Sequence, residues 1–416
     1  MTTTPKNNQS SSKLAIVNIV LVVNALCWYL YFFSFLKTNS GFTGNNLVII
    51  IGFNILAVAI SAVISSKIIE ISKKRLKFLF YWMGIGALLS PLVLTIGNLS
   101  FINVIIFASA LGAYFGFGCP VLMGYYSATT KGANRAKISG LTIFFTYICF
   151  IILTLFFNAV IGIAIMLTAW KIIGLLAIVF LKPDEVAIKQ EDIISYPEVL
   201  KKRIVLLYFI PWLMFSIVNN FAFPVLYVGF GVDLVNAITL VENILVGFFA
   251  LLFGFLADRL GRRRLVFFGF VMLGLGYAIL GLLPTYNRGL YFYTFADSIA
   301  WSIFSPLFLL TIWGDIAGKK DGGKYFVIGF LPYMLSSFLQ VLFSSYVMEF
   351  ITVNDLASVF SFASFFLFLA AVPLFLVPDS ISESERKNNV LKDYSAKAQK
   401  MVEDFNKRLE KEKQKG

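Results

Sequence analysis

The chain has 416 residues, 59% of them hydrophobic and only 14% charged. A water-facing globule carries about 25% charged residues, so this composition excludes the two or three soluble domains that length alone would suggest and assigns most of the chain to lipid or to other helices. The net charge of +13 is gathered in short loops and a C-terminal tail, which argues against a nucleic-acid partner and fits loops kept on one side of a bilayer.

From the N-terminus, residues 1–12 form a polar tail rich in Ser, Thr and Asn. The apolar run that follows has no small-residue cleavage site, so it reads as a retained first helix and not as a signal peptide. A span needs about 20 apolar residues, and runs of that length recur as Lys13–Leu36, Asn45–Ile69, Leu76–Ile96, Phe101–Tyr126, Ser139–Asn158 and Val160–Leu181. After a polar segment come Ile204–Leu226, Leu234–Ala257, Leu265–Leu283, Leu290–Trp313, Tyr325–Met348 and Leu356–Val377. The division between the fifth and sixth rests on Asn158–Gly162 serving as the turn. The expected fold is therefore an all-α membrane protein, with a six-helix bundle over 13–182, a linker over 183–203, a second six-helix bundle over 204–378 and a charged tail over 379–416. In that tail Leu391, Tyr394, Ala398, Met401, Phe405 and Leu409 recur at helical spacing, as in a helix lying on a membrane or a partner, or in a plain solvated helix.

Lys and Arg alternate between the two sets of loops. One set holds Lys73–Arg75, Lys131, Arg135, Lys137, Lys201–Arg203, Arg262–Arg264, Lys319, Lys320 and Lys324; the other holds little beyond Lys37 and Arg288. The basic set is expected on the cytoplasmic side of the plasma membrane, with both termini. No histidine is present, which removes the commonest general base and metal ligand. Neither a glycine-rich phosphate loop nor a metal cluster is visible, so the expectation is a non-enzyme without cofactor or metal. Cys27, Cys119 and Cys149 all fall in apolar spans and imply no disulfide framework.

The chain also resembles itself. Asn54-Ile55-Leu56 lies over Asn243-Ile244-Leu245, and without a gap Lys73-Lys74-Arg75-Leu76 then falls on Arg262-Arg263-Arg264-Leu265. Arg135 precedes Gly140 as Lys324 precedes Gly329, and Phe180–Asp184 resembles Phe375–Asp379. Matches that keep one order imply two homologous bundles with the substrate site between them.

The loop after the eighth span reads Gly254-Phe255-Leu256-Ala257-Asp258-Arg259-Leu260-Gly261-Arg262-Arg263-Arg264. It resembles the G-x-x-x-D-R-x-G-R-R signature of the major facilitator superfamily, whose members are twelve-span transporters. The resemblance implies a gating latch of Gly254, Asp258, Arg259, Gly261, Arg262 and Arg263 that holds the halves together in one state. In the first half the motif is degraded to Ser65, Ile69 and Ser72, which leaves either a weak latch or one built from Glu70. Trp313-Gly314-Asp315-Ile316, and Val377-Pro378-Asp379-Ser380, lean toward the sugar and metabolite porters. The fifth span lacks the G-P-x-x-G-G pattern of proton-driven drug exporters.

Three ionisable residues fall deep in spans, where a charge is costly and marks function by default. The resemblance implies that spans one, four, seven and ten line the cavity, which makes Asp297 the leading proton-coupling residue, with Glu242 second. Lys171, in the sixth span, is expected to pair with an acid of its own half, to face lipid or a partner, or to touch solute. Asn24, Trp28, Tyr29, Asn219, Asn220 and Trp301 are the candidate solute contacts, an amide-and-aromatic set suited to a hydroxylated or small organic solute. Gly112, Gly116 and Gly118 read as a close helix crossing. The expected function is proton-coupled symport of a sugar or organic metabolite by a monomer whose partners are the solute, protons and the bilayer. The alternatives are proton-driven export of small molecules and a non-transporting sensor acting through the tail.

Overall fold

A computed structural model describes residues 6–72, 74–156, 159–186, 193–318 and 320–378, and in the tail residues 391, 394–395, 398–399 and 401–402. Twelve of its helices are long and apolar enough to cross a membrane: α1 Lys13–Asn39, α2 Gly44–Glu70, α3 Arg75–Asn98, α4 Phe101–Thr129, α5 Gly132–Phe156, α6 Val160–Leu181, α7 Arg203–Phe230, α8 Val232–Leu260, α9 Arg262–Leu282, α10 Asn287–Ala317, α11 Gly323–Ser344 and α12 Val353–Leu376. Helix is the form such runs must take, because in hydrocarbon every backbone N–H and C=O needs an internal partner. Each expected span matches one of them; the fifth ends at Phe156 and the sixth begins at Val160, so residues 160–162 of the expected turn are helical, and residue 158 lies outside the described residues.

Prolines modulate the helices. Pro91 and Pro373 open the 3₁₀ segments Ser90–Asn98 and Val372–Leu376 that end α3 and α12. Pro306 opens a π-helical stretch, Ser305–Thr311, inside α10. A missing N–H inside a helix favours such local changes of winding.

Each half is an interlocked bundle, and the halves meet along two seams, α5 against α8 and α2 against α11. These seams exchange under the internal repeat. At the first, a Cβ on Gly254 would stand 2.7 Å from the Ala136 carbonyl and 2.8 Å from Gly140 Cα. The two glycines therefore permit a backbone approach that any side chain would prevent. Gly112 and Gly116 face α2 in the same way, against Asn54 and Val58, while Gly118 lies on the Trp82 ring of α3. Burial ranks the helices by position: 83% of the apolar window of α10 is enclosed, 67% of α4 and 61% of α1, against 28% of α6. The first three are inner helices and α6 is peripheral.

The linker is tied to the basic end of the bundle. Its Glu185 carboxylate accepts from the Leu76 N–H at the start of α3 (3.0 Å), a helix N-terminus where negative charge is favoured. Tyr196 opens the short helix Tyr196–Lys201 and hydrogen-bonds Ser66 of α2 at 2.9 Å. The tail is a separate unit. Its described residues include Leu391, Tyr394, Ala398 and Met401, which are helical and exposed. Lys73, Lys319, Asp379, Ser380, Phe405 and Leu409 lie outside the described residues.

Candidate functional site

Between the halves lies a cavity of about 220 Å³. Its walls come from α1, α2, α4 and α5 on one side and α8, α10 and α11 on the other. Tyr29 stacks on Phe115, centroids 4.0 Å apart, and Trp301 meets Tyr333 edge-on at 6.0 Å. Of the residues singled out in the sequence, Tyr29 and Trp301 reach this cavity. The seventh span contributes none of its lining residues, contrary to expectation. Trp212 of α7 stacks on Phe308 at 4.7 Å and donates to the Gly329 carbonyl, and Phe215 packs on Trp301. Those aromatic contacts set α7 behind Trp301.

The other expected contacts are committed elsewhere. Asn24 donates to the Trp170 carbonyl and receives the Trp170 indole N–H on its own carbonyl, so it joins α1 to α6. Trp28 donates to Ser90 at 2.9 Å. Asn220 bridges to Ser336 of α11 at 3.0 Å. Lys171 is fully buried. Its ammonium faces the rings of Trp82, Trp28 and Tyr114 at 4.5, 4.8 and 5.4 Å and has no hydrogen-bond acceptor. The expected acid partner is replaced by an aromatic cage, which attracts a cation through the negative ring faces.

Asn219 belongs to a polar chain in the second half. It accepts from Tyr277 at 2.8 Å; the Tyr277 and Tyr293 hydroxyls meet at 3.2 Å; Tyr293 donates to Asp297 Oδ2 at 3.0 Å. Asp297 is 1% exposed. Its second oxygen has no hydrogen-bond partner, and the Glu242 carboxyl of α8 is a near neighbour of the Asp297 carboxyl. Two carboxyls placed close together disfavour double ionisation. Glu242 is half-buried and precedes Asn243, a cavity residue. Tyr293 stands four residues before Asp297, a spacing that places both on one helix face and that the sequence already offered; the tyrosine of α9 carried no such signal.

At the basic end, ion pairs cross between the halves. Asp315 binds Arg135 of α5 and Arg262 of α9, the latter at 3.0 Å. Arg75 pairs with Asp321, and Glu70 with Lys324 at 2.6 Å. Asp258 accepts from the Ala136 and Lys137 N–H groups near the start of α5 and from Arg262. Glu70 thus pairs with a lysine side chain at the start of α11, whereas Asp258 accepts from backbone N–H groups near the start of α5. Gly261 takes φ +99° between α8 and α9, a conformation glycine adopts without steric cost. Arg259 lies over the Phe255 ring at 4.0 Å, and Arg263 donates to the Val377 carbonyl at 2.7 Å. At the opposite end a second cavity of about 340 Å³ opens between Lys37, Leu47, Tyr227 and Gln340. The Lys37 ammonium sits over the ring of Phe33, a central-cavity residue.

Two facing six-helix halves around a shared cavity, shut at one end, are the architecture of a membrane transporter. Residues 204–409 match the profile of the Major Facilitator Superfamily. Among solved structures, a proton:xylose symporter (XylE) is similar at TM-score 0.65 and 12% identity, over 91% of this chain and 99% of that one. A bacterial homologue of the iron transporter ferroportin, in an outward-facing state, is similar at TM-score 0.60 and 11% identity, over 88% and 99%. The human organic anion transporter MFSD10 is similar at 0.56 and 14%, over 88% and 99%. No curated protein matches the chain in sequence. The second half of the chain thus carries the profile of the major facilitator superfamily, and the whole chain shares the fold of these transporters.

Proposed function

We propose that the protein is a secondary transporter that moves a small organic solute by alternating access, in symport with protons. The observation that carries this reading is the Asp297–Glu242 carboxyl pair. Asp297 is buried and Glu242 half-buried beside the cavity wall, and the tyrosine–asparagine chain runs back into the second half. A proton held between two carboxyls is released when a change of shape separates them or admits water. The basic end, read as cytoplasmic, is clamped by buried ion pairs, with Asp258 and Arg262 of the loop motif among them. Release of that clamp and closure of the opposite end would carry the solute across. The membrane is taken to be the plasma membrane, with both termini inside.

A second reading, export by proton antiport, draws support from the apolar cavity wall. One experiment separates the two. The full chain is reconstituted in proteoliposomes and exposed to each solute that raises its melting temperature in a metabolite screen. Symport predicts that added solute alkalinises the medium, whereas antiport acidifies it. Asp297→Asn abolishes either signal while solute exchange persists. Solute-driven proton movement in Asp297→Asn equal to that of the parent sinks the coupling role.

A further inference from the structure

We infer that the central cavity takes an uncharged solute with an aromatic or aliphatic body and a single hydrogen-bonding end, seated against Ser305, Tyr147 and Asn243. The inference rests on the transporter reading above and narrows its cargo.

None of the described residues that line the cavity is charged. An ionic solute would leave water and find no counter-charge there, a penalty of several kcal/mol per ion even after relaxation. Much of the polar lining is already engaged. The Tyr29 hydroxyl donates to Asn54 at 2.9 Å, Thr146 to the Thr142 carbonyl at 2.8 Å and Ser337 to the Tyr333 carbonyl at 2.9 Å. A sugar presents a hydroxyl on nearly every carbon, and each one buried without a partner costs about 1–3 kcal/mol. Beside the Tyr333 phenol and the Trp301 indole, the rest of the wall is largely apolar, with Leu30, Phe33, Phe115, Phe150, Leu309 and Phe330 supplying rings and branched chains.

One side of the wall is different. Ser305 is 1% exposed, and its hydroxyl has no hydrogen bond of normal geometry. The Tyr147 phenol, from the other half, is its neighbour. Tyr147 packs on α8 at Gly247, one turn beyond Asn243: a Cβ on Gly247 would lie 3.3 Å from Tyr147 Cβ. Ser305 also opens the π-helical stretch of α10, a winding often found at functional sites. A polar group seated here touches both halves at once. It also lies beside Asn243, the residue that follows Glu242.

The test is equilibrium dialysis of three probes against nanodiscs that hold the full chain and against empty nanodiscs. The probes are 3-phenyl-1-propanol, the anion 3-phenylpropionate with the same body, and D-glucose. The expected result is saturable retention of the alcohol alone. Ser305→Ala removes one hydrogen bond without filling space and weakens that retention about fivefold. Ser305→Leu fills the site and abolishes it, with a melting temperature no lower than that of Ser305→Ala showing that the chain is folded. Three results would overturn the inference: tighter binding of the anion or of glucose, alcohol retention no greater than in empty nanodiscs, or retention unchanged in both Ser305 variants. Dialysis involves no proton gradient. Failure here therefore leaves coupling through Asp297 standing, and proton movement that ignores Asp297→Asn leaves this result standing.

Discussion

At the residue scale, the three buried ionisable groups were visible in the sequence, because a charge inside an apolar run stands out against its neighbours. Their partners were not visible. The Asp297–Glu242 contact joins α10 to α8 and depends on how those helices pack, which no local pattern encodes. Lys171 is the clearer case. Its depth in the sixth span suggested an acid partner, and the structure surrounds it with Trp28, Trp82 and Tyr114 from three other helices. Taking an ammonium out of water costs several kcal/mol, and a desolvated cation–ring contact returns about 2 kcal/mol. Methionine has a similar length and no charge. Lys171→Met is therefore expected to melt at or above the temperature of the parent in a detergent thermal-shift assay. A fall of several degrees would mean that the cage stabilises the cation more than its desolvation costs.

At the element scale, all twelve spans were legible, because membrane thickness fixes the length of each apolar run. What the sequence did not yield is the winding within them. The π-helical stretch of α10 and the 3₁₀ ends of α3 and α12 all carry a proline as their second residue, but Pro120, Pro211 and Pro332 sit inside helices that remain α-helical. Proline alone therefore does not specify the change. The seventh span was misplaced for a related reason. Span order implied a cavity-lining helix, and the stacking of Trp212 and Phe215 set it one layer back. The glycines of α4 lead to a paired prediction. Gly116 faces the Val58 carbonyl of α2, whereas a Cβ on Gly84 of α3 meets nothing within 4 Å. Gly116→Ala is expected to lower stability by about 1–3 kcal/mol, as overpacking does, and Gly84→Ala to leave it unchanged. Unfolding midpoints of the two variants in mixed micelles compare them, and equal midpoints would contradict the packing described for α2 and α4.

At the scale of the whole molecule, the two-half architecture was readable from the repeat, since Asn54 and Asn243, Arg135 and Lys324, and Gly140 and Gly329 keep one register. The loop motif after the eighth span gave Asp258 and Arg262. The hub of the basic end is nevertheless Asp315, which binds Arg135 and Arg262 from opposite halves. That role depends on three helix ends distant in sequence and brought together only by the fold. Removing the acid leaves the buried Arg135 guanidinium without its counter-charge, while Arg262 keeps Asp258; breaking such a buried pair costs about 3–5 kcal/mol, borne by the state in which the halves touch. Asp315→Asn should therefore favour the state in which they part.

The most direct measurement is the distance between spin labels at Asn134 and Arg264, both exposed at the basic end on opposite halves, in a background with Cys27, Cys119 and Cys149 replaced. With Asp315 intact the account predicts a dominant short distance. In Asp315→Asn it predicts that a longer population grows at the expense of the short one. A single distance that is the same in both proteins would contradict a transporter whose halves part and close at this end.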